Sequence, residues 1–446
     1  MTGTVQIVHA IDTEGPLYES LGATFERLRE IFGIDHILPS LENLHKLQRG
    51  EFDFGKRTPL VQEALSSHRV STLGSWEQID SMLTEVTSEA YRLRFPDSNG
   101  NGWVFNWFCL DHVGFDTNPR KRDMGYHNIH DRYVELLAAQ TYARDTIEWH
   151  FHPMSTYREA HRCATHYFRS DEIYQILSRR IIDRNFFPSC FRAGFQAERP
   201  DSHWFLEQFI PFDLSNMATA DTTDIDQSID FRNGRSGNWR KAPHDWTVYH
   251  PSHDDYQLPG KCRRLIGRAL NLRNRIGNLT QEEMDSAFAK AAQGETVLVG
   301  LCSHEWRDLR PELDSVQEMI RHASARAPEV DLEYCQADEA FQQHVRPEYC
   351  DLPPLKLKLT LVPASDYDVP YLQVDVVQGK VFGPQPFLAI CTKSRRYLHD
   401  NFDFAEEEGR WYYAFHADTL PLNDVECIGV AANDFMGRTV IERLNP

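Results

Sequence analysis

Short apolar, β-branched runs that break off in polar residues recur along most of the chain. Residues 4–11 end in Asp12-Thr13-Glu14-Gly15-Pro16, residues 104–110 in Asp111-His112, and residues 296–301 in Cys302-Ser303-His304-Glu305-Trp306. Runs of this length and composition suit strands buried on both faces. Phe191-Arg192-Ala193-Gly194, after a strand starting near Ser189, and Phe212-Asp213-Leu214-Ser215-Asn216 repeat the pattern in shorter form, and residues 330–335 form a further strand. Between the runs, apolar positions recur at helical spacing, which predicts helices over residues 21–32, 41–47, 59–67, 77–83, 131–142, 171–183, 281–292, 312–325 and 337–344. Ser40 and Ser170-Asp171 stand at cap positions, and Thr280-Gln281-Glu282-Glu283 spells a capping box. Strands alternating with helices predict an α/β fold.

Beyond Asp351-Leu352-Pro353-Pro354 the pattern changes to strands alone, over residues 356–362, 371–377, 387–393, 410–415, 425–431 and 439–444. The chain therefore divides into an α/β region, residues 1–346, and a small antiparallel β domain of sandwich type, residues 355–446. A length of 446 residues also calls for two domains.

The run at 146–153, Thr-Ile-Glu-Trp-His-Phe-His-Pro, carries the most specific chemistry. Side chains alternate along a strand, so His150 and His152 share one face and Trp149 and Phe151 the other. Two imidazoles side by side can give one metal ion two nitrogen ligands; the alternative is a pair of hydrogen-bonded histidines on an edge. Asp12 and Glu14, two apart at a strand end, can divide metal binding and proton acceptance, unless Asp12 merely caps a helix. Arg192 can orient Asp12 and lower its pKa, or be paired for structure alone. His304 can act as an acid near neutral pH, whereas Cys302 reads as a small buried hydrophobe. Asp111, His112, Trp239 and Trp306 are candidate substrate contacts, Trp239 from an aromatic loop over residues 239–256 with one strand at 247–250; tryptophan faces stack on sugars but also fill cores. Asp97-Ser98-Asn99-Gly100-Asn101-Gly102 imitates a calcium loop, but Phe108 stands where a bidentate Glu is needed, so it is a turn.

Composition narrows the function classes. A net charge of −19 argues against nucleic-acid binding. The basic stretch Asn118-Pro119-Arg120-Lys121-Arg122 reads as a solvated loop or an anion grip, and Arg179, Arg180 and Arg184 as a solvated helix face. Nine cysteines with no CxxC spacing suggest reduced thiols. No apolar run approaches bilayer length, and the start lacks a basic-then-apolar leader, so a soluble cytoplasmic protein without a membrane span is expected.

The order of motifs resembles the polysaccharide deacetylase (NodB homology, carbohydrate esterase group 4) superfamily, and most of all deacetylase-like proteins of surface-polysaccharide gene clusters. Asp12-Thr13-Glu14-Gly15-Pro16 looks like its first motif, His150-Phe151-His152 its histidine pair, Phe191-Arg192-Ala193-Gly194 its arginine motif and Ser303-His304 its last histidine motif. The resemblance covers residues 4–344. Two features depart from the family: the histidines are two apart instead of three or four, and Glu14 replaces Asp. The resemblance implies a distorted (β/α) barrel of the NodB type and metal-dependent removal of an N-acetyl group from a nucleotide-, lipid- or glycan-linked amino sugar. It assigns Glu14, His150 and His152 as ligands of a divalent metal, foremost Zn2+. Asp12 becomes the base, Arg192 its orienting partner and His304 the acid. Two alternatives stand beside it: hydrolysis of another amide, such as a formamide or cyclic imide, and a non-catalytic carbohydrate-binding protein. For the β domain a structural or homo-oligomerising role is expected, with glycan binding second.

Overall fold

The strand β1 (Thr4–Thr13) is buried over almost its whole length and lies at the hub of a parallel barrel. The computed structural model describes residues 3–118, 127–140, 144–153, 158, 166–220, 237–273, 278–365 and 369–446, with His68 and Arg69 as backbone alone. Pro119–Arg122 of the basic stretch therefore lie outside the described residues. Seven strands close the barrel in chain order: β1, β2 (Phe105–His112), β3 (Thr146–His152), β4 (Cys190–Ala193), β5 (Phe212–Asn216), β6 (Leu265–Asn271) and β7 (Thr296–His304). Every pairing is parallel, and β1 closes the ring by pairing with both β2 and β7. An eighth strand, β8 (Asp331–Tyr334), pairs with the opening residues of β1.

Alternation along β1 divides its side chains between two cores. Val8 and Ala10 point inward to Phe108, Leu214, Ala269 and Leu298, whereas Ile7 and Ile11 point outward to helical residues such as Ile79, Leu313 and Val316. Asp12 is in register with Phe108 and His304, so it is the last inward side chain before the barrel mouth. Between β1 and β2 the helices Leu21–Phe32, Leu41–Gln48 and Thr58–Ala64 form a small core of their own around Leu28, Leu44, Leu47 and Val61. Ser20 and Ser40 cap the first two helices, and Gly33, with φ at 66°, ends the first in the left-handed conformation.

β6 escapes a reading of periodicity because Gly267 and Arg268 interrupt it. Arg268 is nonetheless buried: it pairs with Glu283 at 2.6 Å, donates to the Ala218 carbonyl and lies 4.3 Å from the Trp246 ring centroid. The strand expected at 247–250 reduces to one bridge between Tyr249 and Ile266.

The arginines of the helix Glu172–Arg184 do not form a solvated face. Arg180 is buried against Asp111, Arg184 pairs with Asp131, and Arg179 sits 4.2 Å from the Tyr397 ring centroid. The reason is that this helix packs between the barrel and the C-terminal strands. Ile173, Ile176, Leu177 and Ile181 share one core with Phe387, Ala389, Cys391 and Ala431. Each of these isoleucine, leucine and phenylalanine side chains contributes about 1.5–3 kcal/mol by burial.

The C-terminal region is two four-stranded antiparallel sheets around Leu372, Val374, Ile390, Trp411, Ile428 and Val430. One holds β9 (Lys356–Val362), β10 (Tyr371–Gln378), β13 (Asp403–Phe404) and β14 (Arg410–Ala414). The other holds β11 (Phe387–Thr392), β12 (Tyr397–Asp400), β15 (Val425–Asn433) and β16 (Thr439–Leu444). β12 and β13 are too short to give a periodicity signal. Asn433 fixes the sandwich to the barrel by donating to the carbonyls of Pro188 and Phe209 at 2.8 and 3.0 Å. Among the described residues no helix is long and apolar enough to cross a membrane.

Candidate metal centre

Three buried side chains meet at the C-terminal ends of β1 and β3. Glu14, just past β1, places Oε1 3.5 Å from His150 Nε2 and 3.6 Å from His152 Nε2. The two Nε2 atoms are 2.9 Å apart. Among the described residues this is the group of His, Cys, Asp and Glu side chains whose ligand atoms cluster closely enough to hold a metal. His150 Nδ1 lies 3.0 Å from the Arg192 carbonyl, and donation there turns the Nε2 lone pair toward Glu14. Ligands about 2.0–2.2 Å from a tetrahedral ion stand about 3.3–3.6 Å apart. The Glu–His separations fit that geometry, and a small opening of the His–His pair completes it. Two imidazole nitrogens and one carboxylate oxygen form a donor set suited to zinc.

Strand geometry explains the pair. His150 is in register with Leu110 and Arg192, and His152 with His112, so these side chains share the inner face in successive layers. Gly194 makes room for the upper layer, since a Cβ there would stand 2.5 Å from the His152 ring. Phe195 then packs its ring 4.7 Å from that of His152, with its backbone at a positive φ of 55°. Such a conformation in a bulky residue marks a site where the surroundings over-determine the backbone.

Around the triad lie the remaining predicted groups. Arg192 grips Asp12 with both ends of its fork, at 2.6 and 3.1 Å, and also donates to the Leu214 carbonyl. Burial alone would raise the Asp12 carboxyl, but Arg192, with His150 and His304 nearby, overrides it and holds the pKa at about 2. His304 Nε2 is 3.8 Å from Asp12 Oδ2, and burial lowers the His304 pKa to about 4 against the opposing pull of Glu14 and Asp12. Cys302 lies against the same pair, 3.5 Å from Asp12 Oδ2, and burial pushes its thiol well above the usual range.

The four expected substrate contacts divide. His112 faces inward with its ring 4.6 Å from that of His152. Asp111, one residue earlier, faces outward and accepts from Arg180 and from Trp149 Nε1 at 3.0 Å, so it holds the barrel wall and does not line the mouth. Trp239 is 1% exposed, packs on Tyr256 and donates to the Gln196 carbonyl, which makes it core and not a sugar platform. Trp306 is at the site, its Nε1 3.1 Å from Glu14 Oε2. Glu305 is an addition to the predicted set: its carboxyl group, whose pKa burial raises to about 8, accepts from the backbone N–H groups of Glu14 and Gly15 at 2.9 and 2.5 Å. Its place directly after His304 at a strand end was the available signal.

A second buried ionic cluster lies outside the barrel wall. Arg264 pairs with Asp213 at 2.6 Å and Glu198 at 2.7 Å, and donates to His203 Nδ1 at 2.8 Å. His203 Nε2 in turn lies 2.9 Å from the Ser252 carbonyl, which fixes the neutral tautomer. Comparison of the chain with protein-family models, curated proteins and solved structures found no match.

Proposed function

We propose that this protein is a metal-dependent amide hydrolase that removes an N-acetyl group from an amino sugar in surface-polysaccharide synthesis, as its motif resemblance implies. One observation supports this reading above others. Side chains far apart in sequence, Asp12, Glu14, His150, His152, Arg192 and His304, converge on one buried point at the barrel mouth. Glu14 Oε1, His150 Nε2 and His152 Nε2 would hold a divalent metal, which would supply polarisation of a carbonyl and a lowered pKa for water.

The chain's own groups supply the proton transfers. Asp12 stays a carboxylate throughout the physiological range and can always accept a proton from the attacking water. Its low pKa makes it a weak base by itself. Arg192 holds both oxygens and so fixes the carboxylate's direction. His304 is neutral at rest, and the proton it passes to the departing amine is the one Asp12 takes from water. A binding protein needs neither this base nor a triad of metal ligands.

The test is acetate and formate release from a panel of nucleotide-, lipid- and glycan-linked N-acylated amino sugars. Acetate release should fall by about 10²–10⁴ in Asp12→Asn while the metal is retained. Undiminished turnover in that variant would remove Asp12 as the base. Release of formate alone would identify another amide as the substrate, and glycan binding without any hydrolysis would make the protein a binder.

A further inference from the structure

Glu305 and Trp306 take no part in the proton transfers, yet between them they touch both the backbone and the side chain of Glu14. Glu14 lies beyond the end of β1, in a turn where Gly15 adopts a φ of 73°. Its side chain has three rotatable bonds, and holding it in one arrangement costs conformational freedom. We propose that Glu305 and Trp306 are positioning residues that remove this freedom in advance and present Glu14 as a single-oxygen metal ligand. The inference rests on the metal-site reading above.

The geometry divides the work. The Glu305 carboxyl group accepts the N–H groups of Glu14 and Gly15, which fixes where the Glu14 side chain starts. Trp306 has one donor, and it engages Glu14 Oε2. That contact distinguishes the two carboxylate oxygens and turns Oε1 toward the histidine nitrogens. Glu305 is fully buried and Trp306 nearly so, and the Arg307 guanidinium covers the indole at 4.3 Å from its centroid. Because both residues follow His304 directly, one turn after β7 sets the acid and the carboxylate ligand together. Partners that orient a metal ligand typically account for 10–100-fold in metal affinity.

Zn2+ affinity, measured by chelator competition on the full chain, tests this. Trp306→Phe removes the donor together with part of the indole's packing, and Glu305→Gln replaces one of two acceptors with a donor. Each variant should bind Zn2+ about 10–100-fold more weakly. Metal-free Trp306→Phe should keep a cooperative melting transition, lowered by the lost indole packing, while the Zn2+ affinity of the folded chain falls beyond what that packing loss accounts for. Should Glu305→Gln fail to fold, Trp306→Phe still decides the matter. Wild-type affinity in Trp306→Phe, or a loss of affinity that only tracks a loss of metal-free stability, overturns the inference. A wild-type chain that binds no Zn2+ removes the metal-site reading itself, and this inference with it.

Discussion

The Arg264 cluster and the Glu14 cluster are equally buried, but they differ in how their lone pairs are used. In the first, every charge meets a complement. Arg264 faces Asp213 and Glu198, and burial, together with the neighbouring Asp213 carboxylate, holds Glu198 well above the usual carboxylate range against the pull of Arg264. Arginine cation, aspartate anion, neutral glutamic acid and neutral histidine close the set. In the second, Asp12 is matched by Arg192, but Glu14 Oε1 and two imidazole nitrogens, each able to ligate a metal, converge on one point. Buried charge is therefore a poor sign of function by itself. Converging ligand atoms that one cation would satisfy are a better one.

The largest expected effect comes from opening the closed cluster. Arg264→Met leaves Asp213 buried without its cation and should cost about 3–5 kcal/mol in denaturant unfolding of the metal-free chain. Metal affinity in the folded protein should be unaltered. A cost below about 1 kcal/mol would mean that this cluster is not closed in the sense argued.

A smaller effect should appear in the acid limb of the stability profile. Burial, reinforced by Arg264, lowers the His203 pKa from 6.5 to about 3, so the unfolded chain takes up this proton first. The stability from His203 is complete above pH 6.5 and is lost progressively as pH falls toward 3. His203→Gln should flatten the decline over that window, and an unchanged acid slope would contradict the assignment.

The triad was legible because strand alternation and strand ends are local properties. The i, i+2 spacing of His150 and His152 and the acidic residues after β1 needed no knowledge of distant neighbours. The same alternation could have separated Asp111 from His112, since adjacent residues on a strand face opposite ways and only one can point into the barrel. What remained hidden depends on contacts across the fold. Arg180 and Arg184 carry the composition of a solvated face, and only their barrel-side partners Asp111 and Asp131, with the sandwich packed on the other side of the helix, show otherwise. β6 contains a buried arginine whose charge is matched by Glu283 on a later helix. Glu305 stands at a strand end that local pattern marks, but its partners lie in a backbone turn 291 and 290 residues earlier, which no local pattern names.

The central claim is that Glu14, His150 and His152 together hold one divalent cation. Elemental analysis of purified wild-type protein beside a His150→Ala/His152→Ala variant reads this directly. The account predicts about one equivalent of metal in the wild type and none in the variant, whose Arg264 cluster should still let it fold. A wild type that takes up no metal when supplied with zinc, or a double variant with undiminished metal content, would contradict it.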